Sequence, residues 1–220
     1  MTPSDPDQPA DAAAGPTDGP EDTDLALRRQ AIASGDPSRA MPALAGLREV
    51  APERAIPLLL LGLEQEPFLI RSLACSGLGV KRSEEGWQAL VQALRGDADA
   101  NVRAEAANAL ASYGVERSWP LLRQAFAADA QWLVRCSILS ALAEQPEIPL
   151  EWLLELAGLA IADGDGTVRV GGAELLGRIL HEASQPDDPL TLEAREAMAG
   201  LQSDPDHRVV AVAFNALRLG

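Results

Sequence analysis

One short phrase recurs along this chain at an almost constant interval. It reads Phe68-Leu69-Ile70-Arg71-Ser72-Leu73-Ala74, then Ala100-Asn101-Val102-Arg103-Ala104-Glu105-Ala106, then Trp132-Leu133-Val134-Arg135-Cys136-Ser137-Ile138, then Gly166-Thr167-Val168-Arg169-Val170-Gly171-Gly172. Arg71, Arg103, Arg135 and Arg169 stand 32, 32 and 34 residues apart. A period in this range marks a stack of supersecondary units, each unable to bury its apolar face alone. Such a stack presents a surface, and its function depends on what that surface grips.

The repeating unit is helical. Hydrophobic residues make up 47% of the chain but aromatics only 4%, so Ala and Leu dominate where a sheet would want β-branched and aromatic residues. Around the phrase, Val102, Ala106, Ala109 and Leu110 share one helical face, and Val134, Ile138, Ala141 and Leu142 repeat it. A second stripe is small: Ser72, Cys75 and Gly79; Ala104, Ala107 and Ala111; Val170, Ala173 and Gly177. Small residues there predict a close neighbouring helix. A first helix precedes each phrase, at Ala55 to Leu60, Gly86 to Val91, Ser118 to Arg123 and Glu151 to Leu156. Asp97, Asp129 and Asp163 lie in the turns between, each six residues before an Arg, where Asp can cap the second helix. A fifth copy, Asp204 to Val210, has Val210 in the Arg position and reads as a terminal unit, with its first helix near Leu190 to Leu201. Two further helices are predicted ahead of the first clear unit, over 23–34 and 38–49.

Charge limits the partners. The formal net charge is −15, and residues 1–24, with six Asp, one Glu and no basic residue, carry −7 of it. Phosphate backbones and anionic lipid repel such a chain, which argues against nucleic acid and membrane insertion. Residues 1–24 also hold five Pro and little apolar surface, and read as a disordered acidic tail. They contain no basic start and no apolar core of a signal peptide, so a cytoplasmic location with reduced thiols is expected.

The Asp, turn, Val-Arg, Ala, Ala-Leu pattern over about 53–220 resembles short HEAT repeats. In that family Asp and Arg form a ladder along the stack, a role that falls here on Asp97, Asp129, Asp163, Arg71, Arg103, Arg135 and Arg169. Gln65 replaces the Asp of the first unit. The Ala-rich form, in Trp132 to Leu142 and Asp165 to Glu174, is similar to the HEAT-like repeats of cyanobacterial phycobilisome lyases and their relatives. That resemblance implies a photosynthetic setting, with phycobiliproteins, linear tetrapyrroles or antenna stress responses as its business. It does not by itself imply lyase activity.

Other chemistry finds less support. HEAT-repeat iron hydroxylases need several His-Glu pairs, and His181-Glu182 is the single one, with His207 elsewhere. Asp163-Gly164-Asp165 with Glu174 resembles a calcium loop, but Val168 takes the place of the Gly that the sharp turn requires. Cys75 and Cys136 sit on helices two units apart, roughly 20 Å at about 8–10 Å per step, beyond the ~7 Å a disulfide spans. They read as small core residues, or as one half of an intermolecular iron–sulfur site. Trp87, Trp119 and Trp152 hold one position of successive first helices, and read as core packing or as a stacking stripe for a bilin. No nucleophile, base and orienting group share a spacing, so no catalytic residue is named.

The expectation is therefore an all-α, right-handed α-solenoid of about five HEAT-like helix pairs over 25–220, behind the tail of 1–24. Its function is read as a non-catalytic scaffold holding a protein partner, a phycobiliprotein or stress-response protein, on a concave face that carries Asn108, Ser140, Glu174, Arg178 and Asn215. The alternatives are a bilin lyase or lyase subunit, and a redox-responsive protein acting through Cys75 and Cys136 in an oligomer. No cofactor is assigned; a bilin and an intermolecular iron–sulfur cluster belong to the alternatives only. Oligomeric state and partner identity are left open.

Overall fold

The computed structural model describes residues 20–182 and 188–219. Among them there are helices and turns but no strand, and the helices run in pairs. The first members are α1 (Pro20–Ala33), α3 (Pro52–Leu63), α5 (Glu84–Gly96), α7 (Val115–Ala128), α9 (Leu150–Ile161) and α11 (Pro189–Gly200). The second members are α2 (Pro37–Ala45), α4 (Phe68–Lys81), α6 (Ala100–Ala111), α8 (Trp132–Ala143), α10 (Gly166–Glu182) and α12 (His207–Leu219). Five of these pairs are the expected HEAT-like units; α1 and α2 make a sixth at the amino-terminal end.

One boundary moves. Helix α1 begins at Pro20, so residues 20–24 are helical rather than part of a tail. The reason is local: Pro at the first helical position is pre-set for the helix, and Glu21 and Asp22 favour its positive end. Both carboxylates also pair with Arg54 of α3. The predicted disorder of residues 1–19 lies outside the described residues.

The two layers are built differently. Neighbouring second helices pack closely from α2 to α12, whereas neighbouring first helices touch sparingly. The small stripe explains the close layer. A Cβ on Gly79 would sit 2.9 Å from the Ala109 Cα, so α4 can lie this close to α6 only with Gly there. Cys75, Ala104, Ala107, Ala111 and Ala173 of the same stripe are buried. Large groups fill the wider layer. Trp119 of α7 stacks on Trp152 of α9 with centroids 5.1 Å apart, and Arg123 pairs with Glu155 beside them. Between α5 and α7, Arg117 lies 4.0 Å over the Trp87 ring and pairs with Glu84 at 2.7 Å. Trp87 and Trp119 are buried and Trp152 half-buried, which is core packing. Trp132, at the start of α8, is exposed.

Candidate functional site

A ladder of ion pairs sets the register of the second helices. Arg71 reaches Asp97, Arg103 reaches Asp129, Arg135 reaches Asp163, and Arg169 reaches Asp204, with Nε–Oδ2 distances of 2.7, 2.7, 2.6 and 2.8 Å. A second bond from Nη2 to Oδ1 makes each pair bidentate. The planar guanidinium matches the carboxylate fork, so each rung fixes orientation as well as distance. Nη1 of each Arg turns back to a carbonyl six residues earlier in its own unit: Gln65, Asp97, Asp129 and Asp163. Every rung thus ties two units and one turn together.

Two details differ from expectation. The ladder Asp residues do not cap the second helices. Each lies two residues before the cap position, where Oδ1 accepts from the N–H of Asp99, Gln131, Asp165 or Asp206 and closes the turn. The same kind of bond is made two residues later where that residue is Asp: Asp99 accepts from the Asn101 N–H, Asp165 from the Thr167 N–H and Asp206 from the Arg208 N–H, whereas Gln131 makes no side-chain cap bond. The second detail is Asp204, an acceptor that the repeat period could have identified, since it precedes Val210 by the same six residues. Gln65 offers Arg71 only its carbonyl, and Val210 offers no guanidinium, so the rungs run from Arg71 to Asp204.

Electrostatics keep the rungs charged. Burial pushes the Asp97 and Asp129 carboxyls up, but hydrogen bonds from Arg71 and Arg103 and from the turn N–H groups outweigh it and hold both below the ordinary carboxylate range. At Asp204 the Arg169 hydrogen bond leads and has the same result.

The exposed side of the second helices carries the predicted binding residues. Asn108, Ser140, Glu174 and Asn215 are exposed, one each on α6, α8, α10 and α12. Their side chains make no hydrogen bond among the described residues. Open grooves separate these helices. One of about 510 Å³ includes Asn108, Cys136 and Ser140, the next includes Cys136, Ser140, Glu174 and Arg178, and a third includes Glu174, His181 and Asn215. Shared lining residues make the three continuous. Arg178 differs from the other four: it pairs with Glu182 at 2.8 Å and donates to the Ala143 and Gln145 carbonyls at the end of α8.

The cysteines do not come together as a site. Both are free. Burial, reinforced by Glu105 and Asp97, pushes the Cys75 thiol up to about 12, so at neutral pH it is a thiol and a poor metal ligand or nucleophile. Cys136 is half-buried in the groove wall and also pushed up, by burial and then by Asp165. Among the described residues no group of three or more His, Cys, Asp and Glu could hold a metal ion. No helix of the described chain is long and apolar enough to cross a membrane.

Comparison with known proteins agrees with the geometry. Residues 56–143 match the family model for HEAT repeats. Among solved structures, YibA of Escherichia coli superposes with a TM-score of 0.60 at 15% identity, over 93% of this chain and 76% of that one. Cex1p superposes with a TM-score of 0.61 at 14% identity, over 89% of this chain and 42% of that one. At these identities the likeness shows the fold alone. The CpcE–CpcF complex of phycocyanin lyase from Nostoc aligns over 98% of this chain and 99% of its own at 19% identity, with a TM-score of only 0.40. No curated protein matches the sequence.

Proposed function

We propose that this HEAT-like stack is a binding scaffold whose second-helix face holds a protein partner. The observation that carries the reading is the continuous run of grooves from α6 to α12, with unengaged polar side chains at one position of each helix. The close packing of the second helices against the wider first layer supports a bend that makes this face concave. A long, open surface suits a folded protein better than a small molecule, whose sites are mostly enclosed.

The partner class to test first comes from the sequence resemblance to phycobilisome lyase-like repeats: a phycobiliprotein or an antenna stress-response protein. A bilin lyase would have to bind its tetrapyrrole away from Trp87, Trp119 and the ladder arginines. Trp87 and Trp119 are buried, and the ladder guanidiniums are already bidentate.

The test is a pull-down from a photosynthetic host with the full chain and with Asn108→Arg/Glu174→Arg. The wild-type protein should bring down a stoichiometric companion. The double variant should lose it at unchanged helicity by circular dichroism. Retention of the companion by the variant would remove this face from consideration.

A further inference from the structure

The face changes character at its amino-terminal end, and the repeat register shows how. Where α6 and its C-cap present Asn101, Glu105, Asn108 and Ser112, α4 presents Leu69, Leu73, Ser76 and Val80 at the equivalent positions 32 residues earlier. Positions 69, 73, 76 and 80 follow the spacing of one helical face. Leu69 is 44% and Val80 57% exposed, while Leu73 between them is half-buried against the core, so the two ends of this stripe are open to solvent. Beside it, α2 and α4 enclose a groove of about 220 Å³ whose apolar wall includes Leu44, Leu47, Leu59, Leu73 and Val80.

Its charged lining is basic. Arg48 and Lys81 stand on its rim, and no acidic residue lines it. Lys81 spends hydrogen bonds on the Arg48 and Val50 carbonyls at 2.7 and 2.6 Å, and neither cation has a carboxylate partner among the described residues. Glu49, next in the chain, is exposed but not part of the lining. Two cations without carboxylate partners beside an apolar trough favour an anionic amphipathic occupant.

We infer that this groove is the anchor for an acidic amphipathic helix of the partner protein, leucine-like side chains in the trough and carboxylates against Arg48 and Lys81. The inference deepens the scaffold reading and rests on it. A second copy of the chain is a poor occupant, because a two-fold interface on this groove would set the same cations against each other. The chain's own residues 1–19 are acidic, but Met1 is their one large apolar residue.

The test uses the full chain and two synthetic 16-residue peptides, both with Leu at every third and fourth position, one flanked by Glu and the other by Lys. Fluorescence anisotropy should show the Glu peptide binding at least tenfold more tightly than the Lys peptide. Val80→Glu should weaken it at least tenfold, and Arg48→Glu should abolish the preference for Glu over Lys, each with an unchanged circular dichroism spectrum. Equal binding of the two peptides, or binding indifferent to Val80→Glu, overturns the inference. Failure here is separable from failure of the scaffold reading: a native companion lost on Asn108→Arg/Glu174→Arg but kept on Val80→Glu removes the anchor and leaves the scaffold.

Discussion

At the scale of the residue, the rungs combine a specific geometry with partial burial. In the Arg103–Asp129 pair the side chains are 15% and 11% exposed, so removing one partner leaves the other poorly solvated. Asp129→Ala should therefore destabilise the fold by about 2–4 kcal/mol, with the larger figures belonging to fully buried pairs. For a domain of this size that is a fall in melting temperature of roughly 4–16 °C. The pH dependence follows from the same groups. Their folded pKa values are depressed, so the ladder's contribution is fully present above the unfolded carboxylate pKa of about 3.9 and is lost as pH falls through the lower folded values. Stability should thus fall below about pH 4. Asp97→Asn/Asp129→Asn should be less stable at pH 7 and show a shallower acid limb in urea titrations. The cysteines give a second residue-scale check. With Cys75 fully buried and its thiol pushed up to about 12, a thiol reagent at pH 8 should label Cys136 alone in the native protein and both residues in denaturant. Equal native labelling would mean that α4 and α6 separate readily.

At the scale of the element, the spacing of the two layers rests on side-chain size. Gly79 and Gly158 make a controlled comparison, since both lie inside helices. A methyl on Gly79 meets Ala109 backbone and side chain at 2.9 and 3.0 Å, whereas a methyl on Gly158 meets nothing within 4 Å. Gly79→Ala should cost about 1–3 kcal/mol by overpacking, and Gly158→Ala should stabilise by about 0.5–1 kcal/mol through helix propensity. Chemical denaturation of the two variants measures both signs. This scale is also where sequence and structure can be compared. The period of the Val-Arg phrase located the second helices, and the small stripe identified the face that meets the next one. Asp204 is equally legible from the repeat spacing, six residues before Val210, although the unit it belongs to lacks the Arg. The position of the helix caps was not legible, because Asp suits both a cap and a turn, and only the backbone decides which N–H lies in reach. The helix over 23–34 was legible, but the first turn of α1 at Pro20 was absorbed into an acidic, Pro-rich composition, although Glu21 and Asp22 are what a helix start favours.

At the scale of the whole molecule, the chain is a stack in which each unit touches its neighbours, so its effects should be local along the axis and its binding surface extended. The polar residues Asn108, Ser140, Glu174 and Asn215 could be read from the repeat alone. The apolar stripe at Leu69, Leu73 and Val80 could have been, but leucine in a helix reads as core until its exposure is known. What no periodicity encodes is which side of the stack stays uncovered. Hydrogen–deuterium exchange on the purified complex addresses that most directly. The account predicts protection on binding along the exposed face of α4, α6, α8, α10 and α12, with the first helices α3, α5, α7, α9 and α11 unchanged. Protection confined to the first helices, or none on the second, would contradict it.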